Sequence, residues 1–303
     1  MSSFSCNATQ FIYERKNEKT KAPHTSETVV TMIPGDTLGN DQEFYDNLSI
    51  TDIVRDLKRQ FLLRFYLDAE KGEGKAPIIN IVFSKNSVEN ERAIVKPQDM
   101  PKPSDTGEIK VSYLKLKDPK AQTIEWQIVA DKDETLKWAH FKLSDNDLNH
   151  NAVYLCSKGV SVEPISYDGL RKNEAVDGHR YLTAFYGDVL DNDANVSHSV
   201  DSFRFPDKKH IEGTIREGDL YLPHDEFLFA DTIKKEVNKV IPQIYTDVVD
   251  LKKTQDATVE EIAKDHGISL EIAHKANIRL SDDEQKITEK LYKAQADELS
   301  KEN

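Results

Sequence analysis

Cysteine is scarce: two in 303 residues, Cys6 and Cys156, far apart in the chain. They form no CxxC pair and no disulfide framework, which points to a reducing compartment and a cytoplasmic protein. Long apolar runs are missing too. No stretch approaches the roughly 20 residues needed to span a bilayer, so no membrane partner is expected. The start, MSSFSCNATQ, has no basic region followed by an apolar core, and so is not a secretory signal. Positive charge is outnumbered, 41 basic against 54 acidic residues, a net charge of −13. A field of that sign repels phosphate backbones, so nucleic-acid binding is disfavoured unless a local basic patch supplies it.

Motifs of several enzyme classes are also absent. There is no GxxxxGK[ST] and no GxGxxG. KGEGK at 71–75 is Gly-rich and basic but lacks the spacing of a phosphate loop, and is read as a surface turn. The nine histidines give no metal signature. His140 and His150, and His198 and His210, have no matching Cys/His pair and no HExxH helix around them. No catalytic, cofactor-binding or metal-ligating residue is therefore assigned. Internal repeats and low-complexity tracts are likewise missing.

What is present is a soluble, folding composition, 38% hydrophobic and 31% charged, long enough for two domains or one with extensions. QFIYER and ETVVTMI are two strands around the polar stretch KNEKTKAPHTS, and IPGD then breaks the second. SITDIVRDLKRQFLLRFYL carries apolar residues at 50, 53, 54, 57, 61, 62 and 65, which is helical spacing, with Ser49 or Thr51 as cap. APIINIVF (76–83) is a short strand, and 84–108 is read as a surface loop. EIKVSYLKLK, TIEWQIVAD, WAHFKLSD, NAVYLC and GVSVEP follow at the spacing of an antiparallel meander. HRYLTAFYGDVL (179–190) is a further strand, and 199–206 a strand or strand edge. From about 224 the pattern is helical: one segment with Pro242 as kink or boundary, helices near 257–265 and 269–276, and a last charged helix whose final fifteen or so residues fray.

In HNAVYLCSKGVSVEP (150–164), NAVYLC and VSVEP are strands around Ser157, Lys158 and Gly159, a hairpin whose glycine supplies the turn. Alternation puts Val153, Leu155 and Ser157 on one face and Tyr154 and Cys156 on the other. A cysteine so placed packs as a small hydrophobe, and no motif couples it to His150. Residues 258–278 offer a different pattern. Ala263, Gly267 and Ser269 fall at helix–turn–helix positions, with small Ala where helices cross and Gly in the turn. Only His274 and Lys275 offer the second helix any polar or positive contact, among Glu260, Glu261, Asp265 and Glu271. The segment reads as a packing element rather than a DNA reader.

The order of elements in residues 1–83 resembles the exit from the nucleotide-binding domain of GHKL ATPases, the superfamily of gyrase-type topoisomerases, heat-shock chaperones of the Hsp-ninety type, histidine kinases and mismatch-repair ATPases. ETVVTMIPGD, then a Phe44-containing link, a helix and APIINIVF follow that plan. HNAVYLCSKGVSVEPISYDGL resembles the family's transducer hairpin, and HRYLTAFYGDVLDNDANVSHSVDSFRF its next strand with a V-x-x-x-[RK]-x-x-F segment. The likeness is to bacterial ATP-binding proteins with a helical region after the transducer. It implies an α+β fold: a mixed or antiparallel sheet with packing helices, like a ribosomal S5-like transducer, followed by helices. The domains it implies are 1–40, remnant strands of a nucleotide-binding domain; 41–223, the transducer; and 224–303, a helical region.

Two departures stand out. The Asn/Glu-bearing helix, D-x-G-x-G turn and Gly-rich lid that bind ATP are missing, so the chain is read as a fragment or as the product of a gene that starts there. Val196 and Phe203 match the second segment, but Val200 stands at its basic position and cannot reach a γ-phosphate. The implied function is coupling, relaying nucleotide state from a GHKL domain to a partner or a dimer interface, with no ATP hydrolysis and no cofactor of its own; the implied partners are an upstream nucleotide-binding domain or a homodimer partner. ATP and Mg would belong to the full-length family. The alternatives are a stand-alone regulatory DNA-associated protein using 258–278, and a scaffold or interaction domain.

Overall fold

The computed structural model describes residues 12–14, 29–31, 49–70, 78–85, 88–118, 123–197, 199–216 and 225–300. The chain divides into two compact units, Met1–Ile53 with Val82–Arg92, and Val54–Ile81 with Ala93–Asn303. In the first, β1 (Ile12–Glu14) and β2 (Val29–Thr31) pair antiparallel, Tyr13 opposite Val30. The two expected strands are there. The IPGD break and the KGEGK turn lie outside the described residues.

Helix α1 (Ile50–Glu70) begins where its cap is. The Asp52 N–H donates to the Ser49 hydroxyl at 3.1 Å, and that hydroxyl donates back to the Asp52 carboxylate at 2.7 Å. Strands β3 (Ile79–Lys85) and β4 (Val88–Val95) form a two-stranded sheet. The loop expected over 84–108 is thus a strand, a short 3-10 turn at Pro97–Asp99 and the start of the next strand. Polar residues hid β4, because a two-stranded sheet needs few apolar positions; of its end, Val95 is the buried one.

The main sheet has the order β10-β5-β6-β9-β7-β8. Its strands are β5 (Asp105–Leu116), β6 (Trp126–Ser144), β7 (Ala152–Ser157), β8 (Val160–Ile165), β9 (His179–Tyr186) and β10 (Glu226–Phe227). The expected antiparallel meander is corrected here. β9 inserts between β6 and β7, antiparallel to the first and parallel to the second, with Ala139 opposite Ala184 and Val153 opposite Thr183. Its run Tyr181–Phe185 is buried throughout, as a central strand covered on both faces should be. TIEWQIVAD and WAHFKLSD are also one strand, not two. The register against β5 shifts between Ser112 and Leu114, and Asp131 takes a positive φ of 58°, so β6 absorbs extra residues in a bulge.

β9 stops at Tyr186, short of the expected 190, and α2 (Asp188–Asp191) follows. A Cβ on Gly187 would stand 2.7 Å from the Thr135 carbonyl oxygen, so the turn between them needs glycine. Residues 199–206 form no strand. They hold one bridge, Val196 with Phe203. Then come α3 (Lys208–Arg216), α4 (Ala230–Ile244), α5 (Thr246–Asp265), α6 (Leu270–Lys275) and α7 (Glu284–Leu299). Pro242 lies inside α4, which ends two residues later at the Tyr245 joint. The helix expected near 257–265 is the second half of the longer α5. The fraying expected over the final fifteen or so residues does not reach back into the helix: α7 runs to Leu299, with Ile287 and Leu291 buried, and 301–303 lie outside the described residues.

The fold is α+β, with seven α-helices among the described residues and the helices gathered toward the C-terminus. Period-2 alternation divides the sheet's side chains between two cores. On one face Leu136, Tyr181, Phe185, Val153 and Leu155 meet the α4 stripe Ile233, Val237, Ile241 and Ile244, spaced as one side of a helix. On the other, Ala139, Phe141, Leu182, Ala184 and Cys156 meet Leu62, Leu63 and Phe65 of α1. A third, smaller cluster joins α5, α6 and α7 through Val259, Ala263, Ile268, Ala273, Ile287 and Leu291.

Candidate functional site

The β7–β8 hairpin turns on Lys158 and Gly159, both at positive φ (52° and 80°), which is the type I′ geometry that matches strand twist. Val153 and Leu155 enter one core, Tyr154 and Cys156 the other. Cys156 is buried, and burial pushes its thiol up to about 12, so no thiolate forms near neutral pH. Burial, with Arg59 and Lys172 nearby, lowers the His150 pKa. Ser157 is fully buried, and its hydroxyl has no hydrogen-bond partner among the described residues. Such a group costs about 1–3 kcal/mol, so the hairpin is held in place at a local energetic cost.

Two other segments hold it. Glycine at 159 lets the turn come within van der Waals distance of α1: a Cβ there would lie 2.9 Å from the Arg64 Cα. The Arg64 guanidinium donates to the Lys158 carbonyl at 3.2 Å while pairing with Asp68. From the other side, the Lys158 N–H donates to the Asp191 carboxylate at 2.6 Å, and its ammonium pairs with Asp193 at 2.5 Å. The exposed pair is worth little, but a backbone N–H on a carboxylate is a charge-assisted bond.

Asp191 and Asp193 lead into the segment that carries Val196 and Phe203. Between these two bridged residues the chain makes a tight loop. The Ser197 hydroxyl donates to Asp201 at 2.6 Å and accepts the Asp201 N–H at 3.1 Å, and the Ser202 hydroxyl also donates to Asp201. Hydrogen bonds from Ser197, Ser199 and Ser202 hold the Asp201 carboxyl below the usual range. Val200 sits at the loop's crest with φ 54°, a conformation that costs a β-branched residue energy. His198 lies outside the described residues. The structure thus brings together the hairpin and the Asp191–Asp193 stretch that leads to Val196, with α1 as the third wall of a corner.

A second constellation was not found from sequence. His140, Thr183 and Tyr245 form a buried hydrogen-bonded chain, with His140 Nδ1 2.8 Å from the Thr183 hydroxyl and that hydroxyl 2.9 Å from the Tyr245 hydroxyl. His140 stacks on Tyr181, whose hydroxyl donates to Asp247 at 2.9 Å; Lys142 pairs with the same carboxylate at 2.8 Å. Burial drives the His140 pKa down to about 4, only partly offset by Asp247 and Asp105. Burial raises both tyrosine pKa values. Burial would raise Asp247 as well, but the bonds from Lys142 and Tyr181 outweigh it and hold the carboxyl low. The cluster joins the sheet to the α4–α5 joint in one protonation state near neutral pH. Its only signal in the sequence is a histidine among the apolar residues of WAHF.

The helix–turn–helix pattern is formed. Ala263 is fully buried where α5 meets its neighbours, Gly267 has φ 66°, and the Ser269 hydroxyl caps α6 by accepting the Ile272 N–H. α6 is only six residues long. The Lys275 ammonium lies 2.8 Å from Glu298 and 3.4 Å from Glu271. His210 lies exposed on α3, away from any ligand set. Among the described residues no three His, Cys, Asp or Glu side chains are placed to hold a metal ion, and no helix is long and apolar enough to cross a membrane.

No family model, curated protein or solved structure matches this chain.

Proposed function

We propose that this chain is the transducer portion of a GHKL-type ATP-binding protein of the cytoplasm, relaying nucleotide state to a partner domain or a second copy without turning over ATP itself. The observation that carries the reading is the corner. The two segments on which the resemblance rests, the hairpin and residues 179–205, meet there through Lys158, Asp191 and Asp193. Relay needs an element with two arrangements that a ligand can bias. A hairpin with an orphaned buried hydroxyl, docked by a few charge-assisted bonds, suits that role.

The corner does not fit a triphosphate. Asp191 and Asp193, already bonded to Lys158, would repel it, and Val200 supplies no cation where the family has one. We therefore assign no step of ATP chemistry to these residues. Titration of the purified chain with a non-hydrolysable ATP analogue and Mg is expected to give no binding heat, and a coupled ATPase assay no turnover above buffer. Turnover that persists across independent purifications would contradict the reading.

The DNA-associated alternative draws on the helix–turn–helix geometry. Its electrostatics weigh against it: Lys275 is already held by two glutamates, and α6 is flanked by acidic residues.

A further inference from the structure

β5 is twelve residues long, yet β10 covers its outer edge only at Leu114 and Lys115. From Asp105 to Tyr113 that edge has no strand neighbour among the described residues. An open groove of about 540 Å³ runs there between the strand and α4. Lys110, Lys208, Lys235 and Lys239 line it against only Asp231 and Glu236, four positive charges to two negative, in a chain whose net charge is −13. Lys239 is paired with Glu236, and Lys208 lies over the Trp126 ring. Lys110 and Lys235 are exposed and have no ion-pair partner among the described residues. Leu114 and Ile128 give the groove an apolar floor, and Ile128 is 67% exposed.

We infer that this groove binds an acidic, extended peptide segment of a partner protein, which adds to the sheet as a strand along β5. An unpaired edge offers backbone donors and acceptors at strand spacing, and alternate side chains of an added strand point to opposite sides. Lys110, Leu114 and Ile128 lie on one face, so among the every-second side chains of the peptide that point to that face, acidic ones would meet Lys110 and Lys235 and apolar ones would cover Ile128 and Leu114. The local positive charge in an acidic chain selects for acid against the protein's own repulsive field. Lysines on an edge strand also serve simply to prevent pairing, and that alternative predicts no binding at all. This groove lies outside the hairpin corner, and the inference does not depend on the relay reading.

The test uses the full chain and a fluorescein-labelled peptide of about eight residues in which every second residue is in turn Glu or Val, with Thr between them, long enough at ~3.4 Å per residue to follow the open edge. Fluorescence anisotropy should show saturable binding that weakens as salt is raised. Lys235→Glu, at an exposed helix position and checked by circular dichroism to match the parent fold, should weaken it about tenfold. The same peptide N-methylated at alternate residues cannot donate to the edge and should not bind. Absence of saturable binding, equal binding by the methylated peptide, or tighter binding by a single-stranded oligonucleotide would each overturn the inference.

Discussion

Gly159→Val is expected to destabilise the chain by about 3 kcal/mol, since it adds left-handed strain for a β-branched residue to a clash with the backbone of α1. The added Cβ would meet the Arg64 Cα at 2.9 Å and the Arg64 Cβ at 3.0 Å. Backbone cannot swing aside as the far end of a side chain can, so the hairpin must undock or α1 must shift. Lys158→Gly is the informative contrast. It relieves the positive φ at 158 by about 1 kcal/mol and gives up an exposed ion pair worth at most about 1 kcal/mol, so it should be near neutral. Urea midpoints at constant slope measure both. A loss under 1 kcal/mol for Gly159→Val would mean the turn is not pressed against the helix.

The second large effect is on pH dependence. His140 is buried neutral, with a folded pKa of about 4 against 6.5 when exposed. Between those values the unfolded chain binds a proton that the folded chain does not, so stability rises with pH across the window. The contribution is full above 6.5 and is lost as pH falls toward 4, amounting to about 3 kcal/mol. His150, also lowered by burial, acts in the same direction. His140→Gln keeps a hydrogen-bonding group beside Thr183 but does not titrate. Unfolding free energies measured at pH 7 and pH 5 should differ strongly in the parent chain and much less in this variant. Equal slopes in the two would show that His140 is protonated in the folded chain.

The parts legible in the sequence were those fixed by local chemistry. α1 announces itself by apolar spacing and the Ser49 cap, the hairpin by Lys158–Gly159, and the α5–α6 turn by Gly267 and Ser269. What could not be read is which strands are neighbours. Alternation assigned Val153 and Cys156 to opposite faces correctly, but a period of two says nothing about β9 inserting between β6 and β7. The bulge at Asp131 was missed for a related reason: its polar residues look like a turn between strands. The His140 cluster joins residues 140, 183 and 245, so only the assembled sheet brings it into being. At the corner, the hairpin was legible by itself, but its docking depends on Asp191 and Asp193, which carry no motif.

The relay account requires the hairpin and the 187–205 segment to move as one element. Hydrogen–deuterium exchange of the parent chain and of Asp191→Asn tests this directly, since the substitution weakens only the bond to the Lys158 N–H. The account predicts faster exchange in residues 157–160 and, together with them, in the loop from Val196 to Phe203. Faster exchange in the hairpin with the loop unchanged would show that the corner transmits nothing and would contradict the account.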